Sequence, residues 1–268
     1  MKKEPFEYVP NPLWGEHQDE ERPNSVQDNI FCMNLTEAYK KIIDNGFTST
    51  GKNKEVTLHD LIRNIIEPRL DKERYIAISK TANGDNNCEY NVNILGGNGK
   101  KIDIVIIDKK YNKVVLGINC KFPLASLGKN TPNYMDGLSG ESYRLHKANP
   151  DIPFFSFNVF VSETPVFNKD KDITRFDTTT QEHIDNFDDL AKGIVTEDKF
   201  LRCFGLFVVN DPKINDKIKT LYDFIQVHQD QFMLEYFSKK TYNNMIYNDI
   251  QKFIQEILDC IENYDKNN

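Results

Sequence analysis

Two β-branched runs joined by a four-residue turn, KIDIVIID at 101–108 and KVVLGINCK at 113–121, constrain the fold of this chain most tightly. Isoleucine and valine at that density favour extended backbone, and a linker as short as KKYN makes the pair an antiparallel hairpin. A third run, EYNVNIL at 89–95, lies one GGNGK turn upstream, so the three are expected to form an antiparallel meander. Within the run at 101–108 Asp103 stands between Ile102 and Ile104. A carboxylate in such a strand is costly to desolvate unless a cation or hydrogen-bond donors meet it. Folding the hairpin about its turn brings Asp103 opposite Ile118 or Asn119, the register being fixed only to within one residue. Strand alternation puts Asn119 and Lys121 on one face and turns Cys120 to the other. A polar cluster of Asp103, Asn119 and Lys121 is the expected result.

Helical spacing surrounds these strands. Residues 34–45 carry Asn34 and Glu37 as a capping box, an apolar face of Leu35, Ala38, Tyr39, Ile42 and Ile43, and Gly46 just past the end. Residues 57–67 repeat the pattern with Thr57 and Asp60 at the start, Leu58, Leu61, Ile62, Ile65 and Ile66 as the stripe, and Pro68 as the stop. Downstream, the pattern predicts a helix at 135–147, an aromatic strand at 153–161, an irregular stretch, a helix at 181–191 and a strand at 201–209. Two further helices are expected at 213–237 and 242–264, the second with Ile246, Ile250, Phe253, Ile254, Ile257 and Ile261 on a face suited to core or dimer packing.

With 268 residues, 39% of them hydrophobic and 28% charged, the chain has ordinary globular composition and room for one large α/β domain. The expected organisation is a single domain over 1–268, comprising an N-terminal arm at 1–30 anchored by Trp14, a core at 56–161 and C-terminal helices at 213–268. No apolar run approaches the length of a membrane span, and the two early lysines have no apolar segment behind them, so a soluble cytoplasmic protein is expected. Five cysteines are scattered without CxxC pairing, which argues against a disulfide framework and a zinc site. A formal charge of −7 counts against simple nucleic-acid binding, although a cleft on an acidic protein can still be basic. There is no GxxxxGK[ST] loop, no GxSxG elbow and no close histidine pair, and His59 beside the Thr57 cap reads as structural.

Ile102-Asp103, fifteen intervening residues, then Asn119-Cys120-Lys121 resembles the PD-(D/E)xK nuclease superfamily and, within it, the type II restriction endonuclease class. The resemblance covers roughly residues 56–161. It implies a restriction-endonuclease-like αβββαβ core, with a mixed, mostly antiparallel sheet flanked by helices. It also implies Mg2+-dependent hydrolysis of double-stranded DNA at a specific site by a homodimer, since palindromic duplex sites match two-fold symmetry. Asp103 would then bind metal and Lys121 would position the attacking water.

Asn119 stands where the pattern has an acid, and a neutral amide offers one carbonyl oxygen without charge. Two accounts compete: an inactivating replacement of the acid, or a carboxylate supplied from elsewhere. Glu141 is the candidate migrant, because Leu138, Glu141 and Leu145 share one helical face and Gly137 and Gly140 would allow close approach of that helix. Glu141 serves either metal or a specificity network with Arg144. Glu89 is a weaker metal candidate at the first strand of the meander, and Glu67 faces away from the apolar stripe. DNA contacts are expected from Lys129 and Asn130 in the loop after Lys121 and from Arg144, His146 and Lys147 on the next helix. The rival readings are a non-cleaving DNA-binding relative and an acidic protein-interaction domain.

Overall fold

The computed structural model describes residues 25–46, 52–79, 90–124, 127–197, 200–237, 242 and 244–267. Helix α1 (Val26–Asp44) starts at Ser25, whose hydroxyl accepts the Asp28 N–H while the Asp28 carboxylate accepts the Ser25 N–H. This reciprocal cap displaces the expected one at Asn34 and lengthens the helix by two turns. Helix α2 (Lys52–Ile66) likewise begins before Thr57 and runs into a short 3-10 turn at Glu67–Arg69, where Pro68 ends it as expected.

The strands are β1 (Tyr75–Ser79), β2 (Tyr90–Val92), β3 (Lys100–Ile102), β4 (Ile104–Asp108) and β5 (Lys113–Lys121). Helix α3 (Leu127–Ala148) leads to β6 (Phe154–Val161), the hairpin β7 (Glu163–Phe167) and β8 (Ile173–Thr178), helix α4 (Gln181–Ala191) and β9 (Cys203–Asn210). Helix α5 (Leu221–Val227), β10 (Glu235–Tyr236), β11 (Ile246–Tyr247) and α6 (Ile250–Asn267) complete the chain.

Among the described residues the main sheet has seven strands in the order β1-β4-β5-β6-β9-β10, with β11 also paired to β9. The first three are antiparallel, whereas β5, β6 and β9 run parallel. One face packs on α1, α2 and α6 and the other on α3 and α4, so the class is mixed α/β with a mixed sheet flanked by helices. Glycine is required at two close approaches: a Cβ on Gly205 would lie 2.6 Å from the Phe253 ring, and one on Gly117 would lie 2.8 Å from Phe154.

Four expectations change. The meander opens with β1, not with 89–95, because β2 pairs with β3 in a separate ribbon. The sequence hides β1 because its buried side is Tyr75, Ala77 and Ser79, two of them weak strand formers. The expected strand at 101–108 is two strands, broken at Asp103 where the chain leaves the ribbon for the main sheet. The expected C-terminal helices also shrink. Asp211 and Asn215 side chains accept the Lys213 and Lys217 N–H groups, turning the chain instead of letting it coil, so only α5 forms behind its Thr220 cap. Ile246 and Tyr247 join the sheet, and Asn248, at φ 47°, separates them from α6. The segment after β6, read as irregular, contains the β7–β8 hairpin, whose tip is held by the Asn168 side chain accepting the Asp170 and Asp172 N–H groups.

Candidate functional site

Asp103 occupies the bend between β3 and β4. Its Oδ2 accepts the Cys120 N–H at 2.7 Å, standing in for a ladder partner where the strand breaks. Its Oδ1 lies 3.6 Å from His59 Nε2, with the aspartate side chain about a quarter exposed (25%) and the histidine nearly covered (6%). The desolvation that the sequence implied is thus offset by a backbone donor and an imidazole. The start expected at Thr57 lies inside α2, which begins well upstream, and the His59 ring sits in the buried stripe with Leu58 and Ile62. One His59 ring nitrogen, one Asp103 oxygen and the Cys120 sulfur all lie within 4.8 Å of one another, a group able to hold a metal ion.

Asn119 and Lys121 alternate with Cys120 along β5. Cys120 belongs to the core under α1, α2 and α6; the two polar residues therefore belong to the α3 side. In register Asn119 lies beside Ser156 and Lys121 beside Asn158 of β6. Asn119 is buried, and among the described residues neither its Oδ1 nor that of Asn158 accepts a hydrogen bond. Asp103, one step beyond the Ile104–Ile118 pair, directs its carboxylate to His59 and Cys120 on the α2 side, so among the described residues the expected cluster of Asp103 with Asn119 and Lys121 is split between the two faces of the sheet.

Glu141 does not join this group. Its Oε2 is 3.0 Å from Lys100 Nζ, tying α3 to the β2–β3 ribbon, and among the described residues the metal-capable cluster at Asp103 contains His59 and Cys120 instead. Gly137 and Gly140 face open space, so they do not draw the helix onto the sheet. Arg144 is not paired with Glu141: it donates from Nε to Leu95 O (2.8 Å) and from Nη2 to Gly96 O (3.4 Å), strapping the ribbon turn to α3. His146 packs on Phe200 at 5.8 Å, and burial together with the nearby Lys147 charge lowers its pKa. Lys147 lies over the Tyr143 ring at 5.7 Å. Lys129 and Asn130, expected in a loop, fall in the first turn of α3, and their side chains lie outside the described residues, as does the whole of Glu89.

Sequence reasoning missed His59 and Cys120 as partners of Asp103. The signals were present: Cys120 alternates away from Asn119, and His59 shares the helical face of Ile62 and Ile66. Their wide separation along the chain hid the cluster from any spacing motif.

Neither protein-family models, curated proteins nor solved structures give a match to this chain. Fold and site together define a mixed α/β protein with a polar, metal-capable cluster at a strand break. Among the described residues no helix is long and apolar enough to cross a membrane.

Proposed function

We propose that this protein is a nuclease of the PD-(D/E)xK type, hydrolysing phosphodiester bonds of double-stranded DNA as a type II restriction endonuclease does. The observation that carries the reading is the order α2, β1, β4, β5, α3, β6, with three antiparallel strands and β6 parallel to β5. That is the order of an αβββαβ core with the β2–β3 ribbon inserted after its first strand, and in this reading Asp103 and Lys121 act from neighbouring strands, although the Asp103 carboxylate lies on the Cys120 side. Charge supports it too. Residues 100–148 hold nine Lys and Arg against four Asp and Glu, five positive charges in excess on a chain of net −7.

In this reading Asp103 is the anionic group at the reacting end, and Lys121 offsets charge developing on the phosphate. Asn119 takes the place of a second acid and brings an oxygen without charge. Mg2+, the ion that the resemblance implies, prefers near-octahedral oxygen coordination. Around Asp103 the described donors are one carboxylate, an imidazole and a thiol, which do not suit it. Two copies of the chain are expected to act on a two-fold symmetric site.

Duplex DNA incubated with the purified protein and a divalent ion tests the proposal. Discrete cleavage that disappears in Asp103→Asn and Lys121→Ala supports it. Cleavage only after Asn119→Asp identifies Asn119 as the inactivating residue. Cleavage by the unmodified chain that is lost in Glu141→Gln restores the migrant carboxylate. Retention of duplex at low salt without cleavage in any variant favours the non-cleaving DNA-binding reading, for which the neutral Asn119 speaks. Absence of both binding and cleavage removes the nuclease reading and leaves a protein-interaction domain.

A further inference from the structure

The poor match between Mg2+ and the groups around Asp103 has a positive side. We infer that His59, Asp103 and Cys120 form a three-ligand site for a borderline divalent transition metal of the Zn2+ or Co2+ type. Imidazole and thiolate are donors that such ions select, while a lone carboxylate among them is tolerated.

The geometry needs little rearrangement. The three donor atoms lie within 4.8 Å of one another, with 3.6 Å between His59 Nε2 and Asp103 Oδ1. Two nitrogen or oxygen ligands about 2.0–2.2 Å from one tetrahedral ion stand about 3.3–3.6 Å apart, and a thiolate sits at about 2.3 Å. The three come from separate elements of the packed core, α2, the β3–β4 bend and β5, so their positions are set by tertiary structure and not by a flexible loop. Asp103 is held for the role: its Oδ2 is engaged by the Cys120 N–H, which leaves Oδ1 facing His59. On binding, the Cys120 thiol gives up its proton to solvent and the sulfur becomes the metal ligand.

His59 and Cys120 are buried, at 5% and 1% exposure, whereas Asp103 is the group open to solvent. An ion would therefore enter past Asp103. A fourth coordination position would face outward, the pattern of a site that takes water or substrate instead of closing with a fourth protein ligand.

The inference shares Asp103 with the proposed nuclease site and names the ion that site would take, but its test needs no DNA. The metal-stripped full chain is titrated with Co2+ alone. One equivalent should bind, with a thiolate-to-cobalt charge-transfer band in the near ultraviolet and intense visible bands of four-coordinate cobalt. In Cys120→Ser the charge-transfer band should vanish. In His59→Asn, Co2+ affinity should fall by about tenfold or more, as loss of even an outer-shell partner commonly costs that much. Circular dichroism establishes that each variant is folded. Zn2+ should raise the melting temperature of the unmodified chain. No charge-transfer band in the unmodified chain, or a band that survives in Cys120→Ser, overturns the inference whatever the DNA assays show. Cobalt binding without DNA cleavage would remove the nuclease reading alone.

Discussion

The seam between β6 and β9 and the bend at Asp103 belong to one structure but are built on opposite terms. Along the seam every residue of β6 is buried, and phenylalanines interlock beneath it: Phe157 lies 4.7 Å from Phe207 and 5.2 Å from Phe253. At the bend the chain buries an imidazole and an asparagine whose carbonyl accepts no hydrogen bond among the described residues, and half-buries a carboxylate. The seam lowers free energy by removing apolar area from water, whereas each polar group at the bend is tolerated against its desolvation. A stiff apolar sheet is what can hold such groups at fixed separations. The contrast teaches that apolar packing and costly polar groups sit side by side on neighbouring strands, Cys120 lying in register with Phe157.

Substitution can break that division, the largest effect coming from the seam. Phe253→Ala empties the centre of the ring cluster and should destabilise the chain by about 3–5 kcal/mol, read as a lower urea midpoint. A loss under 1 kcal/mol would mean that α6 is not packed on the sheet as described. Gly205→Ala drives a methyl into the Phe253 ring and should cost about 1–3 kcal/mol, measured the same way. Away from the sheet, Ser25→Ala removes the cap of α1 and should cost about 1 kcal/mol. At the bend end the sign should weaken or reverse. Asn119→Leu replaces an amide with an unsatisfied oxygen by an apolar group, and should leave stability within about 1 kcal/mol of the original or raise it. A large destabilisation by this change would show that Asn119 is a structural amide and erase the distinction between the two regions.

Much of the fold was legible because it rests on local pattern. β5 and α4 run over the residues that alternation and helical spacing give them, and β6 and β9 lie within two residues of expectation. The losses occur where side chains compete with the backbone or where a strand is defined by its neighbours. Asp211 and Asn215 divert a helical pattern, and β11 is a strand only because β9 offers it a parallel edge. The candidate site divides in the same way. Asp103 is visible as a charge out of place in an apolar run, and Asn119 and Lys121 follow from it by alternation. Glu141 looked inward by helical phase, yet Lys100, brought to it by the ribbon, takes its carboxylate.

Periodicity alone determined that strands cross the middle of this chain, that one carries a carboxylate needing compensation, and that amphipathic helices precede and follow them in sequence. Only the tertiary structure decided what compensates it. Contacts between residues distant in sequence are set by how whole elements pack, and packing α2 against the strand break puts His59 and Cys120, not Glu141, beside Asp103.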